Sequence, residues 1–340
     1  MKYLILAALM IASAASTPAQ DYKMVSSIPL GGSGAWDYLK ADADSRRLYV
    51  SHSSEVIVLD LDSQKRIGTL GGFGFIHGIV IVPELSTGFL SDGQKNEVVI
   101  FDPATLKIKR RIKTAANPNS MVYDKLTGRL FVGHKPTKSM TVIKAATGQI
   151  EGTISLNAIP EFPVSDQAGN IFVNIDDRSE IVDIDSKSLK VKARWPVAPC
   201  KSPSGLAFDP SSRRLFAACD NKLLAVVNVD TGKVVMTLPS GDEPDAAAFD
   251  PGTHRIFSSN SDGTLTIVAA EGNDQYKVLQ LLNTQPGART MALDEKTHNI
   301  YLSSAKLGPP PSPTPSNPHP PKHPTAVAGS FHVLVAIPSH

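Results

Sequence analysis

Beyond its first fifteen residues the chain has no apolar run near the roughly 20 residues that a membrane-spanning helix needs, so no helical anchor is expected in its body. Charge of one sign is equally lacking. Lys+Arg 34 stand against Asp+Glu 32, and the basic residues are scattered singly or in pairs such as Arg46-Arg47, Arg110-Arg111 and Arg213-Arg214. That distribution leaves no electrostatic footprint for nucleic acid or an anionic membrane. Familiar catalytic templates are missing as well: there is no Gly-x-Ser-x-Gly elbow, His-Glu-x-x-His helix or Gly-x-x-x-x-Gly-Lys phosphate loop. Gly71, Gly72 and Gly74 precede no helical pattern and read as a turn.

What is there begins with an export signal. Met1-Lys2-Tyr3 carries one positive charge, 4–15 is apolar, and Ser16-Thr17-Pro18-Ala19 ends the run with small residues. Residues 1–19 read as a secretory signal peptide. The mature chain is expected in the periplasm or outside the cell, beginning near residue 20. Its composition, 41% hydrophobic and 19% charged, is that of an ordinary globular protein. Cysteine is scarce, with only Cys200 and Cys219. In an oxidising compartment an even count suggests a bridge. Closing a loop of about 20 residues stabilises by roughly 3 kcal/mol in the chain-entropy model.

Internal repetition is the strongest signal. A unit reading apolar-Asp, five residues, then apolar-aromatic-apolar recurs at Ala41-Asp42 with Leu48-Tyr49-Val50, Tyr123-Asp124 with Leu130-Phe131-Val132, and Phe208-Asp209 with Leu215-Phe216-Ala217. It returns at Phe249-Asp250 with Ile256-Phe257 and at Leu293-Asp294 with Ile300-Tyr301-Leu302. Val82 with Phe89 and Asp166 with Phe172 mark degenerate copies. Positions 42, 82, 124, 166, 209, 250 and 294 thus head seven units about 42 residues long, the period of four-stranded propeller blades. In the fifth unit, strands a to d read as 205–208, 214–218, 223–229 and 234–238, separated by Asp, Asn, Gly and Pro. The fold class is therefore all-β: one seven-bladed β-propeller over 20–340, expected as a monomer.

The last unit supplies only three strands. The segment 23–28 matches the fourth-strand pattern of 233–238, so pairing 22–30 with 331–337 would close the ring and leave no unpaired edge. Residues 308–324 form a Pro-rich insertion within that last blade, of polyproline II character, expected as a spacer between strands b and c, with a docking element or lid as the alternative.

The b-strand blocks Arg47-Leu48-Tyr49-Val50-Ser51-His52 and Arg129-Leu130-Phe131-Val132-Gly133-His134 resemble the motif of the bacterial YVTN-repeat β-propellers over essentially the whole mature chain. His52 and His134 stand where that family usually has Asn. The resemblance implies the propeller and export, and a function among binding proteins and lactonase-like relatives; fold by itself does not choose.

Blade geometry indicates which loops can act. Strand a begins and strand b ends on the same face, around the channel mouth. Five residues before each unit's landmark stand Asp37, His77, Asn119, Glu161, Ser204, Asp245 and Arg289, every one polar or ionisable. Strand b ends at His52, Asp92, His134, Cys219, Asn260 and Ser304, with Asn174 or Asp176 in the fourth unit. His52, His77 and His134 with nearby carboxylates are a donor set suited to a divalent or transition metal, and His77, Glu161 and His52 are candidate acids or bases, with Arg289 for an anionic group. Three classes stay open at this point: a binding protein using the rim for a small molecule, peptide or protein partner; a hydrolase or lyase, metal-assisted or not; and a structural envelope protein.

Overall fold

In the computed structural model, which describes residues 21–272, 274–310 and 324–339, the chain forms seven four-stranded antiparallel sheets, each a propeller blade. The signal segment and most of the Pro-rich insertion lie outside the described residues. The innermost strands are Trp36–Asp42, Ile76–Val82, Pro118–Asp124, Pro160–Ser165, Pro203–Asp209, Pro244–Asp250 and Thr290–Asp294, and each touches the next around a closed circle. In the fifth blade the four strands are Pro203–Asp209, Arg214–Cys219, Leu223–Asn228 and Lys233–Pro239, within two residues of the sequence expectation.

The closing strand is found as expected. Tyr22–Pro29 pairs antiparallel with His332–Pro338, with Tyr22 opposite Pro338 and Pro29 opposite His332. Its Ile28 joins Val333, Val335 and Tyr301 in an apolar cluster with Leu48, Val50 and Ile57 of the first blade. The seam is therefore packed like any other blade interface.

The recurring Asp earns its place in the turn between strands a and b. In the five regular units its carboxylate accepts from a hydroxyl three residues on: Ser45 at 2.6 Å, Thr127 at 2.6 Å, Ser212 at 2.6 Å, Thr253 at 2.8 Å and Thr297 at 2.6 Å. Such side-chain caps hold a tight turn whose next residue is left-handed: Arg46, Arg213, His254 and His298 in four units and Gly128 in the third. The second unit has Val82 there instead, and a short 3-10 turn, Pro83–Leu85, does the same work. Strands b and c are buried between neighbouring blades, so they read as apolar runs. Strand d alternates between buried and exposed because it forms the outer edge.

No helix among the described residues is long and apolar enough to cross a membrane.

Candidate functional site

Six of the seven strand-a positions lie at one structural irregularity. The pairing of strands a and b slips between Trp36 and Leu39, Ile76 and Ile79, Pro118 and Met121, Pro160 and Pro163, Pro203 and Leu206, and Pro244 and Ala246. Asp37, His77, Asn119, Glu161, Ser204 and Asp245 are the first residues inside these bulges, and Arg289 directly precedes the seventh strand. A bulge re-aims the side chains it carries.

The bulges are tied to their neighbours. Ser91 Oγ donates to the Asn119 carbonyl at 2.6 Å, Ser120 Oγ to that of Glu161 at 2.5 Å, and Asn174 Nδ2 to those of Ser204 and Gly205 at 3.0 Å. Ser259 Oγ donates in the same way to the Arg289 carbonyl. Close approach at these points demands a small residue: a Cβ on Gly205 would stand 2.6 Å from the Ala246 backbone.

Three groupings result. His77 Nδ1 lies 2.5 Å from Asp37 Oδ2, which makes it the donor, and Asn119 Nδ2 lies 3.3 Å from the same nitrogen. His77 Nε2 makes no hydrogen bond within the described residues and lies over Gly93, where a Cβ would approach it to 2.6 Å. Asp245 accepts from Arg289 Nε at 2.9 Å and from Ser204 Oγ at 3.1 Å.

Glu161 is the third centre. Its Oε1 is 2.5 Å from Lys135 Nζ, while its Oε2 is buried with no hydrogen-bond partner, in a residue only 6% exposed. Burial pushes its carboxyl up to about 7; Lys135 opposes the rise, and Asp245 and Asp176 add to it. Burial pushes the Tyr38 hydroxyl well up, Asp245, Asp37 and Glu161 add to the rise, and Arg289 opposes it. Tyr38 stacks edge-on against Phe162, ring centroids 5.2 Å apart, beneath the ring. The channel space of about 560 Å³ below is walled by apolar residues including Ile79, Met121, Phe208 and Met291. The polar mouth is thus floored by aromatics.

The strand-b ring behaves differently. His134 is fully buried; its Nδ1 bonds the Ala116 carbonyl at 3.1 Å and its Nε2 the Thr141 hydroxyl at 2.9 Å, and burial lowers its pKa. His52 stacks on Phe331 with centroids 4.2 Å apart, and burial likewise lowers its pKa. Asp92 accepts from the backbone N–H groups of Gly74, Phe75 and Lys95. Asn260 binds Ser258, Thr264 and Thr266, and Ser304 Oγ donates to the Pro286 carbonyl. Asn174 is committed to the tie described above, and Asp176 begins a 3-10 turn and is one of the carboxylates acting on Glu161. These side chains hold loops and blade contacts. The expected convergence of His52, His77 and His134 on one metal is not met, because two of the three rings turn into the blades; among the described residues no group of three or more His, Cys, Asp or Glu could hold a metal ion.

Cys219 is bonded to Cys200, with Cα atoms 5.8 Å apart and both residues buried. The bridge fastens the loop entering the fifth blade to the end of its strand b.

Three site residues were not singled out from the sequence. Tyr38 and Phe162 follow ring positions directly and needed the bulge to reveal their direction. Lys135 could have been found, since it follows His134 into a loop already assigned to this rim.

Fold and site together define a seven-bladed β-propeller with a charged ring at the mouth of its channel. No family model matches the chain, and no curated protein matches its sequence. A chain from a solved structure described as the crystal structure of the mitotic checkpoint complex is similar, with a TM-score of 0.72 and 15% identity over 89% of this chain and 96% of that one. At that identity the likeness shows the fold alone.

Proposed function

We propose that the protein is an exported propeller of the YVTN-repeat kind that binds a small molecule at the channel mouth, held by the ring of Asp37, His77, Asn119, Glu161, Asp245 and Arg289. The observation that carries this reading is Glu161. A buried carboxylate oxygen without a partner is costly, and a ligand offering an N–H, O–H or ammonium group would satisfy it. Export is supported by the N-terminal signal pattern and the buried disulfide. Cell fractionation and the mass of the mature chain test that part directly.

The binding test is a thermal-shift screen of small amines, polyols and hydroxy acids. A ligand that donates to Glu161 should lose ten- to a hundredfold in affinity in Glu161→Gln, the range of a hydrogen bond to a charged group. Lys125→Ala and Lys296→Ala, at the turns on the opposite face, should change nothing. Ligands retained equally by Glu161→Gln would place binding elsewhere.

One observation favours a second reading, a hydrolase or lyase. The Asp37–His77 pair fixes the imidazole tautomer and leaves Nε2 free, as a general base requires. Under that reading His77→Ala keeps ligand affinity within a fewfold and abolishes turnover, whereas a pure binding protein shows no turnover to lose.

A further inference from the structure

A second cavity opens on the same face and shares Arg289 with the ring. It is a cleft of about 570 Å³ where the loops of the sixth and seventh blades meet the first, at the seam that closes the propeller. Its apolar surface comes from Trp36, Pro286, Leu307 and Ala326, and its charged lining from Arg289 and Glu243. The stem that frames it is built, because Leu307 bridges Ala326, Gly308 N–H donates to the Thr325 carbonyl at 2.8 Å and Val327 N–H to that of Lys306 at 2.8 Å. Trp36 is held from behind by Phe331, ring centroids 5.6 Å apart, and its ring edge approaches Gly287, where a Cβ would be 3.6 Å away. The loop carrying Gly287 passes over the indole with φ of +85°, a backbone conformation that glycine adopts readily.

The chemistry of this lining is specific. Arg289 spends Nε on Asp245 and keeps its side chain 49% exposed, with both Nη groups free of protein partners among the described residues. Glu243 is exposed, makes no side-chain hydrogen bond or ion pair with the described residues, and directly precedes the sixth inner strand. An apolar floor between a cation held by Asp245 and an exposed, unpaired anion complements a ligand with the reverse arrangement. A simple organic anion would meet Glu243 and Asp245, and a simple amine would meet Arg289. A zwitterion satisfies both walls while its apolar body covers the indole.

We propose that this cleft is a binding site for a free α-amino acid with a large apolar side chain, its carboxylate on Arg289, its ammonium on Glu243 and its side chain against Trp36. The site shares Arg289 with the ring but not Glu161, and it stands whether or not the Glu161 pocket binds anything.

The chain has two tryptophans, Trp36 and Trp195, so Trp195→Phe leaves the indole of the cleft as the single reporter. L-Phenylalanine, 3-phenylpropionate, phenethylamine and N-acetylphenylalanine amide are titrated against that variant, and emission is followed. The expected result is a saturable change with L-phenylalanine and affinities at least tenfold weaker for the three probes that lack one or both charges. Glu243→Gln, at an exposed position, should reduce phenylalanine binding to the level of phenylpropionate and leave phenylpropionate no weaker. Glu161→Gln should leave phenylalanine binding intact, which separates this site from the channel mouth. An absence of saturation in protein with an unchanged melting temperature, equal affinities across the probes, or insensitivity to Glu243→Gln would each overturn the proposal. So would loss of phenylalanine binding in Glu161→Gln alone.

Discussion

Held at about 7 against an ordinary 4.5, the Glu161 carboxyl couples its protonation to the stability of the fold. The folded state favours the protonated form, so the stability this group contributes is complete below about pH 4.5 and is lost as pH rises through about 7. The span corresponds to roughly 3 kcal/mol as an upper figure. Glu161→Gln cannot ionise, and it leaves Lys135 without its counter-charge at every pH alike. The melting temperature of the variant minus that of the wild type should therefore rise by a few degrees between pH 4.5 and pH 7.5. Melts at several pH values check it, and a flat or falling difference would show that Lys135 already compensates the burial. The same scale explains His134. His134 and Glu161 are both buried polar groups at loop ends, but His134 has a protein partner on each nitrogen whereas Glu161 has an oxygen left over.

At the scale of the strand, the first residue of strand b acts as a clamp on the following blade. Arg47 Nη1 donates to the Pro103 and Ala104 carbonyls. Arg129 Nη1 donates to those of Ser186 and Lys187 at 2.7 and 2.9 Å. Arg214 grips Asp274 through two bonds, and Arg255 grips Asp21 in the same fashion. Each joins the turn between the outer strands of the next blade, or its equivalent at the closing strand. Arg129→Ala should cost about 1–3 kcal/mol, read by denaturant unfolding. Arg66→Ala, whose exposed side chain reaches only Glu55 and Thr69 in its own blade, should cost under about 0.5 kcal/mol. Equal losses would deny the clamp any special weight. The degenerate second unit has a packing counterpart: Gly88 stands opposite Phe101, where other blades pair Leu48 with Leu59, Leu130 with Ile143 and Leu215 with Val227. The small residue makes room for the large one, since a Cβ on Gly88 would lie 2.2 Å from the Phe101 ring.

At the scale of the molecule, stability depends on a ring that must close. The closing strand is joined to the sixth blade as well as the seventh, through Tyr22 edge-on to Phe257 at 5.1 Å and through the Gln280 side-chain amide, whose oxygen accepts from the Tyr22 backbone N–H and whose nitrogen donates to the Tyr22 carbonyl. A chain lacking residues 21–30 would leave strand His332–Pro338 as an open edge and uncover the Val333–Val335 cluster. It should lose more than about 5 kcal/mol and melt without cooperativity. A melt within a few degrees of the intact mature chain would mean that the seam contributes little.

The sequence by itself determined the blade count, the turn chemistry, the closing strand and the pairing of the two cysteines. Each of these is written in local repetition: a hydroxyl three residues after an Asp, or a polar residue five before it, is legible wherever it recurs. Tertiary structure decided which of the polar positions face the channel. The histidines at the ends of strand b look as available as His77 in the sequence, yet packing between blades takes the rings of His52 and His134 out of the mouth and leaves His77 in it. The sequence could not show that Glu161 keeps an unpartnered oxygen beside Lys135, or that Trp36, Leu307, Arg289 and Glu243 wall one cleft. Those residues come from three blades, and they meet only because a closed ring brings its first unit beside its last.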